Sequence, residues 1–221
     1  MLNSARADCS LPLPVPNPTL IYRITHVDNV RWLLANGLHC ASSGIRDPNF
    51  VQIGLPDLIQ KRATRLVPIP PGGTLDDYVP FYFGTHSAML YNIHTGYGLK
   101  QVHQRDMVYL VSSVQRLSAN NVAFLFTDRH AYVANAHYSG DVADLSRLDW
   151  DLINGHDFKR DPNRPDKLDR RAAEFLVHRH MPVAALGGVA CYNAAVRQTI
   201  EAAAAAVGVN IAVRVRQDWY F

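Results

Sequence analysis

The sequence predicts one α+β domain built around a mostly antiparallel sheet. Its 221 residues, 48% of them hydrophobic, are enough to form the core of a single domain. Short apolar segments of strand character alternate with helical segments, but without the regular strand–helix repeat of a parallel α/β fold. Neither GxGxxG nor GxxxxGK[ST] occurs, which argues against a Rossmann dehydrogenase and a P-loop NTPase.

Seven segments are predicted as strands because they are short, apolar and rich in β-branched or aromatic residues. They are residues 20–25, 78–83, 107–113, 122–127, 173–178, 189–192 and 210–216. The last segment shows the clearest alternation, with Ile211, Val213 and Val215 on one face.

Helices are predicted over residues 27–36, 56–65 and 194–207, with a short one after Ser87 as the cap. Gly37 and Gly208 follow two of these helices at the position where glycine commonly ends a helix, and Pro56 suits a first helical turn. Residues 68–73 form a turn-rich connector. The segments 39–56 and 128–165 are predicted as loops, the second with short helical pieces.

Residues 1–18 are predicted as a flexible leader because four prolines punctuate them, and no signal peptide is expected there. No segment approaches the roughly 20 apolar residues of a membrane span, so we expect no membrane association and a cytoplasmic location. The net charge of +3 permits a phosphate-bearing partner without requiring one. The sequence does not predict a metal site. The three cysteines, Cys9, Cys40 and Cys191, are widely spaced, and the histidine pair His178 and His180 has no third ligand at a fitting distance.

Three charged positions admit both a structural and a functional interpretation. Arg23 interrupts an apolar strand, where it could simply occupy a half-solvated face. Lys61, Arg62 and Arg65 could be an ordinary exposed helix end, where cations are favoured by the helix dipole. Glu174 opens an apolar strand after a basic run, so it is either a solvated strand-edge carboxylate or one that nearby cations keep ionised for catalysis.

A series of short blocks lies in order along the chain. The blocks are YRITHVDN at 22–29, Gly37, VP at 67–68, PPGG at 70–73, DYVPFYF at 77–83, Ser87 with MLY at 89–91, FTDRH at 126–130, LDW at 148–150, AEFLV at 173–177 and DWY at 218–220. This ordered series resembles the DarT family of DNA ADP-ribosyltransferase toxins. Each block alone is weak evidence for the family, but together the blocks occur in order over nearly the whole of residues 20–221.

The resemblance implies an ADP-ribosyltransferase fold over residues 19–221. In that fold two small, mostly antiparallel sheets form a cleft for NAD⁺, and helices flank them. The resemblance places an NAD⁺-binding element at residues 44–65 and a substrate-recognition loop at roughly 132–173.

The resemblance also implies roles for particular residues. Glu174 and Arg62 are the expected catalytic residues. The expected NAD⁺-binding residues are Arg23, Ile24, Thr25, His26, Arg62 and Arg65. The expected DNA-binding residues are Tyr82, His86, Arg129, Lys167 and Arg171. His26 ends the first strand beside the expected nicotinamide site, although Asp28 and Asn29 could instead organise the start of the helix.

The implied activity is transfer of ADP-ribose from NAD⁺ to a base of single-stranded DNA, thymine N3 in a short sequence context. NAD⁺ is the expected co-substrate, no metal is expected, and the expected partners are single-stranded DNA and a DarG-like macrodomain antitoxin. Such a toxin would block DNA replication. Two alternatives remain open. The acceptor could be guanine, RNA or protein, or the chain could be a non-catalytic nucleic-acid-binding module with a degenerate cleft.

Overall fold

The computed structural model describes residues 14–221 of the chain. Its strands are β1 Leu20–His26, β2 Leu38–His39, β3 Tyr78–Tyr82, β4 Met107–Ser113, β5 Phe124–Thr127, β6 Tyr138–Ser139, β7 Glu174–His178, β8 His180–Met181, β9 Gly188–Cys191 and β10 Val213–Val215. Its α-helices are α1 Val30–Asn36, α2 Pro56–Thr64, α3 Ala88–Thr95, α4 Val114–Ala119, α5 Trp150–Asn154, α6 Lys167–Arg171 and α7 Ala194–Ala206.

Eight strands form the main sheet in the order β10-β9-β4-β1-β3-β7-β5-β6. All neighbours in it are antiparallel except β10 and β9, which run parallel because α7 carries the chain back between them. β2 and β8 form a separate two-stranded antiparallel sheet. The α+β class with mostly antiparallel strands is therefore confirmed.

The main sheet consists of two halves joined at a narrow seam between β1 and β3. Only Tyr22 and Tyr82 are in register across this seam, whereas β1 pairs with β4 along its whole length. Pro80 accounts for the short ladder. Its carbonyl accepts a hydrogen bond from the Arg23 side chain, so this residue's backbone faces β1, and proline has no N–H to offer there. The two sheets expected from the resemblance are thus present as two halves of one sheet.

The two faces of this sheet are covered differently. On one face, Phe81 and Phe175 belong to a continuous core that α1, α5 and α7 complete. On the other face, the apolar covering is divided into one cluster around Tyr109 and another around Leu176. Glu174 lies on this second face by strand alternation, so the gap between the two clusters is where a polar site can form.

Most predicted elements are confirmed within one or two residues, including the Ser87 cap, Pro56 in the first turn of α2, and Gly37 after α1. Two predictions were wrong in extent. The strand predicted over 122–127 starts at Phe124, because the unforeseen helix α4 and its turn occupy the preceding residues. Ser113 caps α4 by accepting the Arg116 N–H, a signal present in the sequence. The strand predicted over 210–216 is reduced to β10.

The predicted leader falls largely outside the described residues, since these begin at residue 14. Residues 14–18 have no regular secondary structure, but Val15 packs against the main core and Pro16 accepts a hydrogen bond from the Thr19 hydroxyl at 2.6 Å. Across residues 14–221, no helix is long and apolar enough to cross a membrane.

Two glycines with positive φ give a test of the packing at the small sheet. Gly37 has φ 79°, and a Cβ there would lie 2.6 Å from the Met181 carbonyl oxygen and 2.5 Å from His180 Nε2. Gly44 has φ 70° but no atom within 4 Å of such a Cβ. We expect Gly44→Ala to lower the free energy of unfolding by about 1 kcal/mol, from backbone strain alone. Gly37→Ala should lower the free energy of unfolding by ~2 kcal/mol more than Gly44→Ala, because the backbone that carries the Met181 carbonyl must also move.

Urea denaturation of the two variants beside the unmodified protein measures this difference. Equal losses for Gly37→Ala and Gly44→Ala would contradict close packing of β8 on the end of α1.

Candidate active site

Glu174 is a fully buried carboxylate at the first residue of β7, with 1% of its side chain exposed. Its Oε2 accepts a hydrogen bond from Arg62 Nη1 at 2.9 Å, and its Oε1 accepts one from the Ala131 backbone N–H at 3.0 Å. Its own N–H donates to Thr127 Oγ1 at 3.2 Å. Both the backbone and the side chain of Glu174 are therefore fixed by contacts from residues distant in sequence.

The surroundings of Glu174 keep it ionised despite its burial. Burial raises the pKa of a carboxyl group, but the charge of Arg62, the approach of His130 and the Ala131 N–H together outweigh that effect. The net result is a pKa of Glu174 below its ordinary value. The site therefore presents a desolvated negative charge near neutral pH.

The two arginines at the end of α2 have different positions. Arg62 reaches Glu174, while its Nη2 is buried with no hydrogen-bond partner. Arg65 Nη2 instead donates to the carbonyl of Val133 at 3.0 Å, and its Nε is likewise buried and unpartnered. The structure thus brings Arg62 into direct contact with Glu174, whereas the Arg65 side chain contacts the loop that contains Val133.

The loop between β5 and β6, residues 128–137, supplies contacts that the sequence did not single out. His130 Nδ1 lies 3.4 Å from Glu174 Oε1 and accepts the Tyr132 N–H at 3.1 Å. Ala131 contributes its backbone N–H, which no side-chain pattern can reveal. The FTDRH block was the available signal for His130, because it placed this residue among the family's shared positions.

Arg23 and Tyr82 line the seam beside Glu174. Arg23 Nη1 donates to the Pro80 carbonyl at 2.8 Å, and burial followed by the charge of Arg62 lowers the pKa of Arg23 to about 10. Tyr82 is in register with Glu174 across β3 and β7. Burial raises the pKa of Tyr82, and Glu174 raises it further, so its hydroxyl stays protonated. Arg23 is thus a structural part of the seam as well as a cation near the site.

The remaining residues expected to bind NAD⁺ lie at the end of β1. Ile24 is buried in the core, so only its backbone is available. Thr25 Oγ1 accepts a hydrogen bond from Asn29 Nδ2 at 3.0 Å, and Asn29 also pairs with both backbone groups of Val51. His26 caps the following 3₁₀ turn through its Nδ1. Asn29, which the sequence left as a helix-start residue, therefore ties the 44–55 loop to β1.

Two of the five residues expected to bind DNA are occupied by internal ion pairs. Arg129 is 7% exposed and pairs with Asp128 at 3.0 Å and with Asp166 at 3.7 Å. Lys167 is 6% exposed and donates to Asp157 at 2.6 Å. In this arrangement both cations fix the loops that precede Glu174, and little of either side chain is exposed to contact a phosphate.

His86 and Arg171 lie together at a cavity of about 200 Å³ beside the Glu174 end of the sheet. His156 lines the same cavity and contacts His86 edge to face, with 4.7 Å between the ring centroids. Burial lowers the pKa of His86, and His156 lowers it further. Arg171 stacks over Phe158 at 3.9 Å and has a buried, unpartnered Nε. Sequence reasoning did not identify His156.

Within residues 14–221, no three side chains of the metal-binding types are grouped to hold an ion. His180 stacks on His39 instead, with 4.3 Å between the ring centroids.

Replacing Arg62 tests whether it balances the buried charge of Glu174. Arg62→Met would leave an uncompensated carboxylate, so we expect the free energy of unfolding to fall by about 3 kcal/mol at pH 7. The double variant Arg62→Met/Glu174→Met should recover much of this loss. Arg179→Met is the control, because Arg179 is 59% exposed and its 3.5 Å pair with Asp77 should contribute less than ~1 kcal/mol.

The sign of the pH dependence follows from the lowered pKa of Glu174. Its stabilising contribution is complete above the pKa of the unfolded chain and disappears as the pH falls through the lower folded pKa. The advantage of the wild type over the double variant should therefore shrink at acid pH. Denaturation at pH 7 showing Arg62→Met as stable as the wild type would exclude this role.

Comparisons with known proteins identify the family to which this chain belongs. A family model described as "ssDNA thymidine ADP-ribosyltransferase, DarT" matches residues 22–221. The DNA ADP-ribosyl transferase of Escherichia coli O127:H6 is 43% identical over 207 residues, which cover 93% of this chain and 95% of that protein.

Two solved structures share the whole fold. Thermus sp. 2.9 DarT in complex with ADP-ribosylated ssDNA superposes with a TM-score of 0.89 at 32% identity, covering 96% of this chain and 100% of that one. The same protein in complex with NAD⁺ gives a TM-score of 0.82 at 33% identity, covering 94% and 100%. The chain therefore belongs to the DarT family of DNA ADP-ribosyltransferases.

Proposed function

We propose that this chain transfers ADP-ribose from NAD⁺ to N3 of thymine in single-stranded DNA, and that Glu174 and Arg62 carry the reaction. Family membership supports the reaction class, and the Thermus relative has been solved with NAD⁺ and with ADP-ribosylated ssDNA. The single observation that carries the proposal is the buried carboxylate of Glu174 held 2.9 Å from Arg62, one strand away from the seam of the sheet.

Glu174 suits the cleavage of the bond between nicotinamide and ribose. As nicotinamide leaves with the bonding electrons, positive charge develops on the ribose ring, as it does in glycoside cleavage. A carboxylate that accepts a hydrogen bond from a ribose hydroxyl stabilises that charge more in the transition state than in the ground state. Thymine N3 then bonds to the ribose carbon as the nicotinamide bond breaks, and the N3 proton is released to water.

Arg62 suits an electrostatic role on the incoming nucleotide or base. Its Nη2 is buried without a partner, so a donor is already in place for a phosphate or carbonyl oxygen. A guanidinium is a poor base in water, with a pKa above about 12. We infer that it orients thymine and stabilises negative charge as N3 loses its proton.

NAD⁺ would lie along the seam between the two halves of the sheet. We infer that Arg23 contributes positive charge there and that Ile24, Thr25 and His26 present the end of β1 to the nicotinamide half. Arg65 would act from the adjacent loop through its unpartnered Nε.

The DNA strand would approach across the cavity beside Glu174. A single strand leaves the N3 edge of thymine unpaired, so no base pair has to be opened. His86 and Arg171 lie at this cavity, and its lining residue Phe83 directly follows Tyr82, which is in register with Glu174. Arg129 and Lys167 would shape this surface through their ion pairs more than through direct phosphate contacts.

In the cell, modification of thymine would block DNA replication, so we infer that the protein acts as a toxin. Family membership supports a DarG-like macrodomain antitoxin as its partner.

The chain offers a matched pair of variants for testing the reaction, because Glu174 and Glu201 are its two glutamates. Glu201 is an exposed residue of α7 that pairs with Arg197 at 2.9 Å. Glu174→Gln should lower the rate of transfer about 100-fold or more, since it removes a transition-state contact. Glu201→Gln should transfer at the wild-type rate.

The assay incubates each protein with NAD⁺ and single-stranded oligonucleotides and measures the mass gain of one ADP-ribose. An oligonucleotide whose thymines carry N3-methyl groups should gain nothing, while its unmethylated counterpart reacts. No mass gain on any oligonucleotide with the wild type would refute the function, and a fully active Glu174→Gln would refute the role of Glu174.

A further inference from the structure

One buried tyrosine holds the loop that contacts Glu174. Tyr138, the first residue of β6, is 6% exposed, and its hydroxyl donates a hydrogen bond of 2.5 Å to the carbonyl oxygen of Ala131. The N–H of this same Ala131 donates to Glu174 Oε1 at 3.0 Å. Ala131, which is 0% exposed, thus links Tyr138 to the Glu174 carboxylate: its carbonyl bonds Tyr138 and its N–H bonds Glu174.

We propose that Tyr138 is a positioning residue for catalysis, which acts by fixing the Ala131 N–H on the carboxylate of Glu174. The catalytic part of this proposal rests on the proposed role of Glu174. Tyr138 belongs to none of the catalytic, NAD⁺-binding or DNA-binding groups described above.

The physical reason lies in the cost of a buried carbonyl without a donor. Without the hydroxyl, the Ala131 carbonyl would be left buried and unsatisfied, which is more costly than losing an exposed hydrogen bond. The loop can avoid that cost by rotating the peptides on either side of Ala131 towards another donor or water. Such a rotation takes the N–H away from Glu174.

Other groups hold the same loop at positions on either side of Ala131. Arg65 lies beside the Tyr138 hydroxyl and bonds the Val133 carbonyl, two residues beyond Ala131. Thr127 Oγ1 donates to the Arg129 carbonyl at 2.6 Å. These contacts fix the two sides of the loop. Among the side-chain hydrogen bonds of the described residues, only those of Tyr138 and Glu174 reach Ala131, and Tyr138 alone bonds its carbonyl.

The effect on Glu174 has a definite direction. The charged and titratable groups around it are Arg62 from α2, His130 from the loop and Tyr82 from β3, with Arg23 beyond them on β1. The Ala131 N–H acts with Arg62 and His130 to lower the pKa of Glu174, so its loss should raise that pKa.

Tyr78 provides a matched control. It is 2% exposed, packs in the same apolar cluster as Tyr138, and also donates its hydroxyl to a backbone carbonyl, that of Gly72 at 2.8 Å. Gly72 is not among the contacts of Glu174. Tyr138→Phe and Tyr78→Phe each remove one buried hydroxyl and keep the ring, so both should lower the melting temperature by similar amounts.

The first readout is kinetic. With NAD⁺ and a reactive oligonucleotide, Tyr138→Phe should lower kcat about 10-fold to 100-fold, because a small displacement of a reacting group has that effect. Its KM for NAD⁺ should stay within about 2-fold of the wild type if ground-state binding is untouched. Tyr78→Phe should keep the wild-type kcat.

The second readout does not depend on activity. Labelling glutamate with ¹³C at the side-chain carboxyl gives two signals, one from Glu174 and one from Glu201, which serves as an internal reference. Titration should show Glu174 protonating at higher pH in Tyr138→Phe than in the wild type or Tyr78→Phe, with Glu201 unchanged in all three.

These readouts separate the possible failures. A Tyr138→Phe variant that matches Tyr78→Phe in kcat and in the Glu174 titration would overturn the proposal, and so would a loss of kcat without the titration shift. A wild type that modifies no oligonucleotide would refute the proposed function, while the titration would still decide whether Tyr138 controls Glu174.

Discussion

The ion pair between Arg62 and Glu174 is the interaction on which the site depends. A carboxylate with 1% exposure is costly to keep ionised, and the guanidinium at 2.9 Å offsets that cost. The pair joins the last turn of α2 to the first residue of β7, so it also closes the fold across 112 positions of sequence. The buried negative charge and the local stability of the site therefore rest on the same two side chains.

The divided sheet explains why this charge lies where the apolar covering of the sheet is interrupted. One face is covered by a continuous core, which gives the strands a rigid support. The other face carries two separate apolar clusters, and β1 and β3 share a single registered pair between them. Pro80 limits that ladder because it has no N–H, and Arg23 takes the free carbonyl. The interrupted pairing at the seam thus follows from one backbone property of one residue.

Local patterns predicted most elements because caps and periodicity act over a few residues, as at Ser87 and Gly37. The family resemblance of the ordered blocks identified Glu174 and Arg62 as expected catalytic residues. The contact between these two side chains could not be deduced from their spacing in the sequence. The role of Ala131 was hidden because a backbone N–H leaves no trace in side-chain chemistry. The ion pairs of Arg129 and Lys167 depend on loops whose paths no local pattern specifies.

The most direct test of the central claim is the protonation equilibrium of Glu174 in the unmodified protein. Because Glu201 is the other glutamate of the chain and is exposed, a ¹³C carboxyl titration compares the buried group with an ordinary one in a single sample. We expect Glu174 to stay ionised to lower pH than Glu201, since Arg62 and the Ala131 N–H outweigh burial. A Glu174 that protonates at higher pH than Glu201 would show that burial prevails and would contradict an ionised catalytic carboxylate held by Arg62.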